Sequence, residues 1–347
     1  MTHSIPRLSL ATIVSATCML PALLAATTGV WASTSNKDGE VCPNTAKTLA
    51  KACASDTEDN YLVAVATCQN LADADARKAC LGEAKATRME DTSNCHDVYQ
   101  ARLDVCDALA TEGPYEPPFG PDYADNFVNP LDIGSTVTAN PYFPLQLGSQ
   151  WKYKTTYKNE DGENITERDT VTVTDRTKLI EGVTCLVVTD VVRASDGTVE
   201  KTEDWYAQDL WGNVWYCGES SQQKETFEGD QPKKPELVSI DGSWKTGREG
   251  AKPGIQMYAD PEVGKTYRQE LAWVEAEDVA EVLATDADES AHNGEFRCNH
   301  YCLETRDYTA LEPDADEHKY YAPNVGLMLE VDLTNGARNE LVSYTHP

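Results

Sequence analysis

Beyond residue 32 the chain has no apolar run long enough to cross a membrane. Positive charge is also scarce: 29 Lys and Arg stand against 58 Asp and Glu, for a net charge of −29 in 347 residues. A surface of that sign repels phosphate backbones and anionic lipid, so both nucleic acid and anionic lipid are excluded as partners. Catalytic signatures are missing too. There is no G-x-S-x-G, no H-E-x-x-H, no P-loop and no G-x-G-x-x-G. The six histidines are scattered, mostly in polar contexts, and acidic pairs are too plentiful to single out glycosidase carboxylates. The expectation is that the protein is not an enzyme.

The first 32 residues have the parts of a secretory signal. "MTHSIPR" gives a weakly positive start, "LSLATIVSATCMLPALLAATTGV" an apolar centre, and Val30-Trp31-Ala32 a small-residue cleavage pattern. Pro21 and the break at Thr27-Thr28-Gly29 argue against a membrane anchor. Cys18 raises lipidation, but Thr17 is a poor residue before a lipidated cysteine, and an apolar stretch follows it. A periplasmic or secreted location is therefore expected ahead of a lipoprotein. Removing Arg7 with the signal leaves a mature charge of −30.

Ten of the eleven cysteines remain after cleavage, an even number in an exported chain, which favours disulfides. Cys42, Cys53, Cys68, Cys80, Cys95 and Cys106 fall in a segment with helical apolar spacing. Candidate N-caps at Asn44, Asp73 and Ser93 suggest helices over about 44–56, 61–88 and 94–110. Facing residues of an antiparallel helix pair average to the turn. Cys53 with Cys68 and Cys42 with Cys80 both centre on Asn60-Tyr61, after the polar stretch "SDTEDN", and these are the expected rungs. Cys80 with Cys95 and Cys68 with Cys106 would centre on Thr87 instead. With the first hairpin clamped, Cys95 and Cys106 are left about 16 Å apart along one helix, too far to bond. The remaining options are a helix broken near Gly82, thiols joined to a partner chain, or cysteine trios holding a soft metal.

Residues 113–144 hold seven of the seventeen prolines and read as a linker, or as a strap lying over a surface. From residue 143 the hydrophobic period changes to two. Hairpin turns are expected at Asp161-Gly162, Ser195-Asp196-Gly197 and Asn335-Gly336, the last as a type I′ turn. The fold class is α+β. A small cysteine-clamped helical module (33–112) and a Pro-rich linker (113–142) precede a large curved antiparallel sheet or open barrel of about ten strands (143–347).

Four stretches in this region carry a resemblance: "YFPLQLGSQWKYKT", "DWYAQDLWGNVWYCGES", "GSWKTG" with "PGIQMYADPEVGKTYRQE", and "EHKYYAPNVGLMLEVD". Together they resemble a group of bacterial exported proteins and lipoproteins with a sheet-rich domain. That domain opens F-P-L-x-x-G-x-x-W-x-Y and closes near Y-x-A-P-x-V-G-L. The resemblance spans 142–344 and implies a long curved antiparallel sheet, without implying an activity. The cysteine-rich helices lie outside that pattern, and so do Cys185 and Cys217.

Aromatic residues are dense between Trp205 and Trp273. Trp205, Trp215, Tyr216 and Trp273 are the candidates to line a concave face and hold a ligand; strand-face packing is the alternative. "CNHYC" is the one compact soft-ligand cluster. In a strand Cys298, His300 and Cys302 would share a face and suit copper or zinc, although disulfides to Cys185 and Cys217 are favoured over a metal. Residues 275–317 hold fourteen acids and two arginines, read as a solvated loop. Glu275, Glu277 and Asp278 are its candidate calcium ligands. No EF-hand fits there: counted from Asp286, Ala291 and Arg297 stand where Gly and Glu are required.

The sequence thus points to an exported, acidic, disulfide-stabilised, non-catalytic binding protein of the cell envelope, with a small-molecule, lipid or envelope partner on an aromatic concave face. One alternative is a metal-binding envelope protein, whose cofactor would be a divalent or soft metal ion. The other is a structural surface protein.

Overall fold

The computed structural model describes residues 41–110, 113–159, 162–227 and 229–347; the expected signal segment, with Cys18, lies outside them. The chain divides between Tyr115 and Glu116 into two compact units.

The first unit is a hairpin of two long helices, α1 (Val41–Gln69) and α2 (Ala74–Leu109). The expected turns at "SDTEDN" and near Thr87 do not form. Neither stretch contains Gly or Pro, and their polar side chains bond along the helix. Ser55 donates to the Lys51 carbonyl, and Thr92 to that of Arg88. The chain reverses only at residues 70–73, where the Asp73 carboxylate accepts from the Ala76 amide at 2.7 Å as an N-cap.

Moving the turn rewrites the cysteine pairing. The bonds are Cys42–Cys106, Cys53–Cys95 and Cys68–Cys80, with Cα separations of 5.8, 5.8 and 5.5 Å. The expected rungs Cys53–Cys68 and Cys42–Cys80 are therefore wrong, and no thiol is left over. All three bonds centre on residue 74, just past the turn. The averaging rule holds, with two helices in place of the expected three. The intervals between successive cysteines read the same from either end, and the 11- and 15-residue intervals within the helices are close to whole helical turns, so each helix carries one stripe. Little apolar surface is buried: mainly Ala46 on α1 and Ala84, Val98 and Val105 on α2, while Leu62, Val63 and Met89 are exposed. The clamps do what a core would otherwise do.

The second unit is one large antiparallel sheet. Its first five strands are β1 (Gln150–Lys158), β2 (Asn164–Ile180), β3 (Val183–Ala194), β4 (Val199–Gln208) and β5 (Val214–Glu225). Three short strands and two two-residue ones follow: β6 (Glu236–Ser239), β7 (Trp244–Lys245), β8 (Lys252–Met257), β9 (Thr266–Arg268) and β10 (Glu270–Leu271). After them come β11 (Asp278–Ala287), the small pair β12 (Ser290–Ala291) and β13 (Phe296–Arg297), and β14 (Cys302–Thr309). The last are β15 (Glu317–Ala322), β16 (Gly326–Asp332) and β17 (Arg338–Thr345).

The strand order is β10-β8-β5-β4-β3-β2-β1-β17-β16-β15-β14-β11-β9, with β6 and β7 also on β5. Its two ends, β9 and β10, are neighbours in sequence. Residues 266–271 pair with β11 on one side (Tyr267 opposite Ala280) and with β8 on the other (Glu270 opposite Pro253). One short segment thus bends the sheet into a nearly closed barrel. Gly254 makes this approach possible, since a Cβ there would overlap the Gln269 backbone.

The expected hairpins β1–β2, β3–β4 and β16–β17 are all present. The last is not a type I′ turn. Only Gly336 takes a positive φ (75°), and a wider loop is held by Asp332, which accepts from the Thr334 amide. The Pro-rich segment from Glu116 packs on the sheet unit. Phe119 and Phe127 cover Ile180, Val183, Val187, Trp205 and the Cys185–Cys217 disulfide on the outer face. The two motifs of the exported-protein pattern meet in space: Trp151 donates to the Val325 carbonyl at 2.6 Å, and the Tyr153 hydroxyl to that of Leu327 at 2.9 Å.

Candidate functional site: an acidic cavity in the barrel

The inner face of the sheet encloses a cavity of about 370 Å³. Its buried end is apolar and aromatic, built from Leu145, Val173, Val188 and Tyr206; at the other end Asp196 is exposed and Ala194 and Thr198 are half-buried. The Tyr206 and Tyr216 rings stack with centroids 4.8 Å apart, and Phe143 packs edge-on against Tyr206 at 5.0 Å.

Ten of the lining residues are acidic and one, Lys319, is basic. Strand register explains how the acids gather. Asp169 on β2 is diagonal to Asp190 on β3, Asp190 is diagonal to Asp204 on β4, and Asp204 lies directly opposite Glu219 on β5. Four adjacent strands thus carry a row of carboxylates across the inner face. Glu270, 4 % exposed, continues it at the closing segment, where burial and then the neighbouring Asp278 carboxyl raise its pKa well above the usual range.

Two subsets of these acids differ. Lys319 lies 3.4 Å from Asp307, 3.4 Å from Glu317 and 3.6 Å from Glu330. Burial by itself would lower its pKa, but the three carboxylates hold it well above the ordinary value, so it remains an ammonium. Three carboxylates outnumber one ammonium, and Glu330 takes up the difference. Burial and then Glu317 push its pKa up to about 8. The other subset has no internal cation: none of Asp169, Asp190, Asp204, Glu219 and Glu270 has an ion-pair partner among the described residues. Burial and then the Asp190 charge push Asp204 up to about 7, although the Tyr216 hydroxyl donates to it at 2.7 Å. Burial and then Asp169 raise Asp190 well above the usual carboxylate range; burial and then Asp204 do the same to Glu219. Asp169 and Asp190 bond to each other, which requires a shared proton, and Glu270 bonds to the Trp244 indole and the Asp278 carboxyl.

Of the four expected ligand-binding aromatics, only Tyr216 lines this cavity. Trp205 faces outward under the strap with Lys178 Nζ 3.3 Å above its ring, and Trp215 packs against Phe119 and Phe127. Trp273 is half-buried near the Arg268 guanidinium. The inward residues not singled out from the sequence as ligand-binding are Tyr153, Tyr206, Tyr321 and the acids, of which Asp278 alone was a candidate, as a calcium ligand. A signal for them exists. Asp169, Val171 and Val173 have one strand parity, as do Val188, Asp190 and Val192, and Thr202, Asp204 and Tyr206. Acids in step with apolar residues belong to the enclosed face.

The soft-metal cluster is not formed. Cys298 bonds to Cys302, and Cys185 to Cys217, so the expected bonds between these two pairs are corrected as well. Asn299 and His300 have φ of 50° and 62°, so this is a tight turn rather than a strand, and His300 lies exposed 3.4 Å from Asp288. Glu275, Glu277 and Asp278 do not converge. Asp278 lines the cavity, whereas Glu277 is buried and accepts from the Val274 amide. No three His, Cys, Asp or Glu among the described residues are placed to share a metal ion. The stretch 275–317 is not one solvated loop: it contains β11 to β14, and Asp307, Glu277 and Glu317 are buried.

Five disulfides among the described residues fit a protein outside the cytoplasm, and no described helix is long and apolar enough to cross a membrane. Compared with known proteins, the chain matches no family model, no curated protein and no solved structure.

Proposed function

We propose that this is an exported, periplasmic or secreted, non-catalytic binding protein whose ligand enters the barrel and rests in the cavity. The carrying observation is the cavity itself: its volume lies in the range of small-molecule sites, and it combines an aromatic floor with a row of carboxyl groups. Barrels of this kind enclose ligands where the interior is not filled by side chains. The concave face of the sequence reading is retained, but its aromatic lining includes Tyr206, Tyr216, Tyr153, Trp151 and Phe143 rather than Trp205, Trp215 and Trp273. The metal reading keeps no thiolate, because every cysteine among the described residues is in a disulfide.

The test is native mass spectrometry of the protein purified from its own compartment. The expected result is a small molecule bound in wild type, released on denaturation, and absent from Ala194→Trp, which narrows the exposed end. Equal retention by wild type and Ala194→Trp would remove the cavity as the site.

A further inference from the structure

We propose that the ligand of the barrel interior is an organic cation, an ammonium or guanidinium compound, with its charge held by Asp190, Asp204 and Glu270 and its carbon skeleton on the Tyr206–Tyr216 stack. This rests on the reading of the cavity as a binding site and adds the chemical class of what enters it.

The argument starts from the contrast between the two carboxylate subsets. Around Lys319 the protein supplies its own cation, and three acids are compensated by one ammonium at 3.4–3.6 Å. Across the cavity the row from Asp169 to Glu270 has no such group among the described residues, though it is as deeply set. Glu270 is the deepest-set member: it is 4 % exposed, it lines the cavity, and its carboxyl meets the Trp244 indole and the Asp278 carboxyl, neither of them a cation. Asp169 and Asp190 bond to each other, carboxyl to carboxyl, again with no cation between them. Carboxyls that bond one another must keep protons to do so, and a ligand that donates N–H groups and brings positive charge removes that constraint.

The class of that ligand follows by comparing candidates. An anion, including a fatty carboxylate, meets ten acids and one already paired lysine. A bare divalent cation needs convergent oxygens, and no three ligand side chains are so placed among the described residues. A neutral polar molecule could bond to the carboxyls but would do nothing to favour their ionised form, which burial and mutual repulsion oppose. An organic cation supplies N–H donors, positive charge, and an apolar portion suited to the tyrosine faces at the buried end, where cation–π attraction adds to burial.

Isothermal titration calorimetry on the full mature chain tests this with putrescine, cadaverine, arginine and choline. Pentanediol is the neutral control, hexanoate the anionic one, and calcium chloride the metal control. At least one amine should bind, and Asp190→Asn and Glu270→Gln should each weaken it by about tenfold or more while keeping a cooperative thermal transition. Binding of pentanediol, hexanoate or calcium as tight as that of any amine would overturn the inference and leave the cavity standing as a binding site. So would amine binding unaffected by both substitutions. Silence from every amine would also overturn it, and the mass-spectrometric test then decides separately whether the cavity holds any small molecule.

Discussion

Lowering the pH from about 8 to about 5 should make the ligand-free sheet unit more stable, opposite to the usual effect of acid on paired carboxylates. Asp204 shows why. Its pKa rises from an ordinary 3.8 to about 7 in the fold, because burial and the charges of Asp190 and Glu200 disfavour its ionised form, against the opposing Tyr216 hydrogen bond. An acid raised by folding binds more protons folded than unfolded between those two values. Stability therefore falls as pH rises through that window, and the loss is complete above about 7. The full effect for Asp204 is about 4 kcal/mol, of which about 3 kcal/mol develops between pH 5 and pH 8. For a unit of this size that is on the order of 5–10 °C in Tm. Asp190, Glu219 and Glu270, raised for the same reason, act in the same direction. Lys319 stays charged throughout this range and contributes no slope.

Tryptophan fluorescence isolates this unit, because every tryptophan among the described residues lies in it. High salt is needed in the assay, since a net charge near −30 also relaxes on acidification, but that surface term is screened whereas the buried row is not. Asp204→Asn retains an acceptor for the Tyr216 hydroxyl, so it should raise Tm at pH 8 and flatten the profile. A Tm that is constant or rises between pH 5 and pH 8 in high salt would refute the reasoning, as would a variant with the wild-type slope.

Two further outcomes follow from the fold. Peptide mapping without reduction should return Cys42–Cys106, Cys53–Cys95 and Cys68–Cys80; reduction should then abolish most helical circular dichroism, each bond contributing roughly 3–4 kcal/mol. Recovery of Cys53–Cys68 or Cys42–Cys80 would place the turn in "SDTEDN" after all. Gly254→Ala should destabilise the sheet unit by about 1–3 kcal/mol in denaturant titrations, because its Cβ would push the closing segment off β8; an unchanged midpoint would mean that the barrel is not closed there.

The sequence by itself determined the class of each half. Cysteines at near-helical intervals, a proline-rich strap and a switch to period two are local signals, and each became the kind of element expected: clamped helices, a packed strap and an antiparallel sheet. Local signals do not say where a long helix stops. Polar residues without Gly or Pro can continue a helix as readily as end it, and the cysteine pairing changed when the turn moved from about residue 60 to 70–73. Tertiary structure also decided which side of each strand faces inward. Trp205 and Tyr206 are neighbours with opposite fates, one under the strap and one in the cavity, and only the closing of the sheet selects between them. The site is non-local in the same sense. Asp169, Asp190, Asp204, Glu219 and Glu270 come from five strands, and what makes them a site is that strand register and barrel closure bring their carboxylates to one enclosed face without a cation beside them.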